Sequence, residues 1–181
     1  IHPDFEEYKQ EIKKLRQHGI RGIKFSSIFQ DFYPDEERML RIYQEMGEDM
    51  VAYFHAGEDL GKPIEEAHTT PQRLARVLDM FPKLKMVAAH FGGLNMLDEA
   101  KRYLVGKELY LDAVWTPSIA ELDSQEITRL IQEHGSHKIL FGTDYPVTDT
   151  KEQIDWVSKL PLSAEDKELI FYKNAKRLFG I

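Results

Sequence analysis

The sequence predicts an α/β domain whose strands run parallel. Three observations predict it: five short apolar runs of strand length, amphipathic helical segments between them, and a regular interval between strand starts. That interval is roughly 30 residues, about the βα repeat of an eight-stranded barrel of ~250 residues.

In chain order, "PDFEEYKQEIKKLRQHG" is helical and ends at Gly19, a residue type that tolerates the left-handed turn past a helix. "RGIKFSS" (Arg21–Ser27) is the first strand, and "PDEERMLRIYQEMG" is a second helix closed by Gly47. "MVAYFHA" (Met50–Ala56) follows as a strand, then "TTPQRLARVLDMFP", with Thr70 as cap and Pro71 at the first helical position. "KMVAAH" (Lys85–His90) and "ELYLDAV" (Glu108–Val114) are the next strands, with "LDEAKRYLVGKELY" between and into them read as a solvated face. "KILFGT" (Lys138–Thr143) is the fifth strand, and "SAEDKELIFYKNAKRLFG" opens with a capping box from Ser163 to Asp166. No composition break, linker or low-complexity tract interrupts this alternation, so residues 1–181 are expected to be one domain.

Composition removes several function classes. At 42% hydrophobic and 30% charged, the 181 residues suit a compact soluble domain. Cysteine is absent, so there is no disulfide framework and no thiolate ligand or nucleophile. No apolar stretch approaches the roughly 20 residues that span a bilayer, and a cytoplasmic location is expected. A formal charge of −7, with both signs mixed throughout, argues against a nucleic-acid partner. Phosphate-binding glycine loops and G-x-S-x-G elbows are also missing.

The chemistry gathers where the strands end. His55 closes the second strand, His90 the third, and Asp144 follows the fifth; Lys24 lies near the end of the first. In parallel α/β folds these ends share one rim, which carries the active site. Histidine and aspartate are ligands of a divalent, zinc-like ion that keeps a position for water. A lone strand-end histidine is more often structural, and Asp144 before Tyr145-Pro146 has an ordinary turn reading. Three such residues at equivalent positions shift the balance toward a site, and the adjacent glycines suggest close backbone approach by a ligand. Asp112 reads first as a buried structural carboxylate, and Trp115 as a pocket wall or plain packing. His2, His18 and His68 stand singly, at the chain start, a helix end and a loop, while His134 and His137 belong to another helix end.

These residues alone leave two architectures open: a complete doubly wound sheet, or the last five units of a barrel. "GIKF", "FHAG", "VAAHFGG", "LYLDAV", "ILFGTDYP" and "NAKRLFGI" together resemble the amidohydrolase superfamily of metal-dependent TIM-barrel hydrolases. They are most similar to its amidohydrolase-related branch, which includes the aminocarboxymuconate-semialdehyde decarboxylase-like enzymes. The resemblance implies a (β/α)8 TIM barrel of which this chain supplies about the last five βα units. It also implies one divalent metal ion, zinc with manganese as the alternative. His55 matches the metal ligand of the family's fifth strand, and His90 the sixth-strand histidine that handles the proton of metal-bound water. Asp144 matches the eighth-strand ligand that also shuttles a proton. Lys24 matches a recurrent fourth-strand lysine suited to a substrate carboxylate, with Trp115 beside it as a candidate substrate contact.

The family's first-strand pair of histidines, separated by one residue, has no counterpart in the sequence. The expectation is that the missing βα units form a separate segment, or that a second copy of the chain covers the sheet edges. The inner face is expected to carry Tyr53, Ala88 and Tyr110. The leading functional reading is a hydrolase that attacks a small carboxylate-bearing molecule with metal-activated water. The alternatives are a decarboxylase of the same family and a non-catalytic α/β fragment or binding module.

Overall fold

The computed structural model describes residues 1–58 and 62–181. Its strands are β1 (Gly22–Phe25), β2 (Val51–Phe54), β3 (Lys85–Ala88), β4 (Tyr110–Asp112) and β5 (Ile139–Leu140). They form one parallel sheet in the order of the chain. A doubly wound sheet reverses its strand order part-way; this one does not, and it follows the barrel arrangement. Each strand falls inside its apolar run but is shorter, because the residues closing each run leave the ladder to shape the rim.

The helical punctuation works as the residues dictate. Helix α1 (Tyr8–Gln17) turns at Gly19 (φ 76°), where the Ile20 amide reaches back to the Leu15 carbonyl at 3.0 Å. Helix α2 (Glu37–Met46) ends with the Gly47 amide on Tyr43. Thr70 caps α3 (Pro71–Met80) by accepting from the Arg73 amide. The stretch read only as a solvated face forms α4 (Leu97–Tyr103), which buries Ala100. Asp123 and Asp149 cap α5 (Ser124–His134) and α6 (Thr150–Lys159), each accepting amides of its helix's first turn. The capping box opens α7 (Ala164–Glu168): Ser163 Oγ accepts the Asp166 amide at 3.1 Å and donates to its carboxylate at 2.6 Å. A wider π turn, Leu169–Lys173, then leads into α8 (Asn174–Phe179).

The two faces of the sheet do different work. Ala52, Phe54, Met86, Ala88, Leu111 and Ile139 join the helices in the main core. Val51, Val87 and Leu140 form a second cluster on the opposite, inner face, flanked by Tyr53 and Tyr110. Ala88 is thus on the helix side, contrary to the expectation from sequence. Counting back from His90 fails because His90 lies two residues beyond β3 with φ 57°, which breaks the two-residue alternation. The inner face is also not bare: Leu178 and Phe179 of α8 pack onto it. β1 and β5 are the edge strands, as expected. Among the described residues no helix is long and apolar enough to cross a membrane.

Candidate active site at the strand ends

His55 is the first residue past β2, tied down by its amide on the Phe25 carbonyl at 3.0 Å. Its Nε2 lies 3.0 Å from the Glu58 carbonyl, which can only accept, so that nitrogen carries the proton. Its Nδ1 then faces Nε2 of His90 at 3.1 Å, and the two rings meet edge to face, 4.9 Å between centroids. The strand-end histidines therefore touch, as their equivalent positions suggested.

His90 is buried and sits in the left-handed region, as does Phe91 (φ 51°). Such a conformation is uncommon for residues with a Cβ and persists where surrounding structure enforces it. Here the His90 amide donates to Asp112 Oδ1 at 2.7 Å. Burial, reinforced by His55 and the Lys24 ammonium, depresses the His90 pKa to about 3, so the ring is neutral at ordinary pH. Its Nδ1 has no hydrogen-bond partner of good geometry, although the Val114 backbone lies near enough to favour protonation.

Asp112 is fully enclosed at the end of β4 and also accepts the Tyr53 hydroxyl through Oδ2. Burial raises its pKa, opposed by the Lys24 ammonium, the Tyr53 hydroxyl and the His90 amide. Burial, with the Asp112 charge second, raises the Tyr53 pKa and keeps the phenol a donor. Lys24 places its ammonium over the Tyr53 ring, 4.4 Å from the centroid. The residue as a whole is exposed on the edge strand, yet desolvation of the ammonium lowers its pKa, with Asp112 and Asp144 opposing.

Asp144 begins a turn after β5 (φ 52°), its carbonyl accepting the Val147 amide at 2.8 Å. The turn reading holds, and the exposed carboxylate also acts electrostatically on Lys24, Tyr53 and Asp112. Trp115 is buried against the helix-side core and lines a cavity of about 420 Å³ with Asn95, Met96 and Glu126. Two other histidines hold backbone groups: His134 bridges Gly106 and Leu109, and His18 holds the Lys14 carbonyl. His68 is half-buried, stacked on Tyr33 and bonded to Phe32.

Gly57, two residues past His55, makes room for the protein's own backbone. A Cβ on Gly57 would stand 2.1 Å from the Leu94 nitrogen, where the loops after β2 and β3 bridge. Sequence reasoning gave Tyr53 no role. The available signal was its inward parity, shared with Lys24 and Asp112 across three strands.

These donors fit a divalent ion in kind but not in number. Among the described residues no group of three His, Asp or Glu side chains is arranged to hold a metal ion. The family model described as Amidohydrolase matches residues 2–181. The chain belongs to the amidohydrolase family. This amidohydrolase chain is 30% identical over 139 residues to the 2-amino-3-carboxymuconate-6-semialdehyde decarboxylase of Caenorhabditis elegans, across 67% of the chain and 34% of that protein. Its fold matches a manganese-bound 5-carboxyvanillate decarboxylase from Novosphingobium aromaticivorans with a TM-score of 0.76 at 20% identity, over 100% of this chain and 63% of that one. It also matches a manganese-bound dihydroxybenzoic acid decarboxylase from Polaromonas sp. JS666, with a TM-score of 0.73 at 18% identity, over 99% and 66%. Matches to curated relatives span 34–38% of those proteins' length. The relatives named are decarboxylases, which moves that reading ahead of the hydrolase expected first.

Proposed function

We propose that this amidohydrolase chain carries part of the active site of a metal-dependent decarboxylase acting on a small carboxylate-bearing substrate. The observation that carries this reading is the meeting of His55 and His90 on the rim, beside a network joining Lys24, Tyr53 and Asp112. Decarboxylation needs a cation to receive the substrate carboxylate, and a group to bring a proton to the carbon that keeps the electron pair. Lys24 is the cation, poised beside Asp112 and Asp144. His90 and Asp144 are the groups that carry the proton, His90 starting from a neutral ring.

His55 and Asp144 would contribute two ligands to a divalent ion, with further ligands from outside this set. Manganese comes before zinc, because related structures hold it. Such an ion, when bound, polarises substrate oxygens as a Lewis acid. The small number of donors grouped among the described residues fits a site completed by further βα units.

The test uses the complete protein, chelated and then reloaded with manganese. Carbon dioxide release is followed on 2,6-dihydroxybenzoate and 5-carboxyvanillate, and metal content by elemental analysis. His55→Ala and Asp144→Ala are expected to lose manganese, while His90→Asn keeps it and loses activity by about 10²–10⁴-fold. Equal metal content in wild type and both alanine variants would overturn the ligand assignment. Ester or lactone hydrolysis without carbon dioxide release would overturn the reaction class.

A further inference from the structure

Asp112 and Tyr53 stand one step behind the groups that would meet a substrate. Asp112 is completely enclosed, yet both its oxygens are used: Oδ1 takes the His90 amide at 2.7 Å and Oδ2 takes the Tyr53 hydroxyl. Enclosing a carboxylate is costly unless hydrogen bonds and a nearby charge offset the lost hydration. A merely structural residue at this place would be served by an apolar side chain, as at Val87 and Leu140 on the same face.

The position of the amide matters more than its bond. His90 lies outside the strand, in the left-handed region, and is followed by a second left-handed residue. Nothing in β3 itself dictates that path, since the regular pairing with β4 ends at Ala88 and Leu111. The carboxylate of Asp112 seizes the amide at the point where the backbone reverses its hand. That fixes the direction in which the imidazole leaves the chain. Tyr53 in turn fixes the carboxylate from β2, the strand that delivers His55 two residues later.

We infer that Asp112 and Tyr53 are a positioning pair, which holds the His90 backbone in its left-handed turn and so aims the His90 ring at His55. One buried carboxylate thereby links the ends of β2, β3 and β4, setting the spacing between the two histidines. The part of the His90 ring in proton transfer rests on the function proposed above; the backbone arrangement does not.

The experiment reads the backbone first. Amide hydrogen exchange and ¹H–¹⁵N spectra are recorded on the full chain for wild type, Tyr53→Phe, Asp112→Asn and Asp112→Ala. In wild type the His90 amide is expected downfield and slow to exchange, as a donor to a carboxylate. Tyr53→Phe keeps the ring under Lys24 and removes only the hydroxyl. It is expected to speed His90 exchange by about tenfold, while Leu111 and Ile139 keep their protection. Asp112→Ala is expected to extend that loss from His90 to Gly93, and Asp112→Asn to restore most of it through its side-chain oxygen. In the complete, manganese-loaded protein, turnover of 2,6-dihydroxybenzoate should fall about tenfold or more in Tyr53→Phe, with KM little changed. An unchanged His90 amide in Tyr53→Phe and Asp112→Ala overturns the inference. So does a loss of protection spread evenly over all five strands, which would make the pair ordinary core. If His90→Asn keeps full activity while the amide result stands, the function assigned to His90 fails and the positioning does not.

Discussion

At the residue scale the site depends on how closely two loops approach. His55 and His90 can share a hydrogen bond only because Gly57 lets Leu94 pass against it. Gly57 has φ 93°, and an added methyl would strike backbone atoms that cannot swing aside. Gly19 has φ 76° but open space around it, so alanine there meets only the backbone penalty. Gly57→Ala should therefore cost about 2–4 kcal/mol in urea unfolding, against about 1 kcal/mol for Gly19→Ala. Equal costs would show that the loops yield to the methyl and that the close approach is not what requires glycine.

At the scale of elements, one buried histidine ties α5 to the approach of β4. Nδ1 of His134 accepts the Gly106 amide at 3.1 Å, so Nε2 carries the proton and donates to the Leu109 carbonyl at 3.0 Å. Burial depresses its pKa to about 4, whereas an unfolded histidine titrates near 6.5. Between those values the unfolded chain binds the extra proton and the folded one does not. The stability from neutral His134 is therefore whole above about pH 6.5 and lost as pH falls toward 4, on the order of 3 kcal/mol. Urea midpoints at pH 7.5 and 4.5 should diverge less in His134→Gln than in wild type; parallel losses would remove His134 as the cause. The sequence disclosed the element, a helix ending near this histidine, but not the bond. Helix ends and apolar runs are local signals, so Gly19, Thr70 and Ser163 were readable one by one. The rim was readable as far as strand parity held: Tyr53 and Tyr110 fell on the inner face, and His55 met His90. Parity failed for Ala88 because a left-handed turn intervened. Hydrogen bonds that join three strands, such as those of Asp112, leave no trace in any one segment.

At the scale of the whole molecule the question is what the sheet edges meet. Arg21 and Phe25 direct their carbonyls to β2, accepting Val51 and His55 amides at 2.8 and 3.0 Å. In a parallel ladder alternate residues turn their polar groups the other way, so Gly22 and Lys24 present theirs outward from β1. Unpaired edge groups are a template for another strand. Lys24 sits on that edge with its ammonium on Tyr53, and a strand laid beside β1 would enclose it further and deepen the fall in its pKa. The same strand would bring new side chains to the rim, where among the described residues no three His, Asp or Glu side chains are arranged to hold a metal ion. Edge pairing would then also add to the site. In the 181-residue chain as a monomer, the Gly22 and Lys24 amides should exchange at least 100-fold faster than Ala52 and Val87, which lie inside the sheet. Mass from light scattering, taken on the same sample, distinguishes a covered edge from an open one. Strong protection of Gly22 and Lys24 at the monomer mass would mean that the chain closes its own edge, and would remove the case for further strands beside β1.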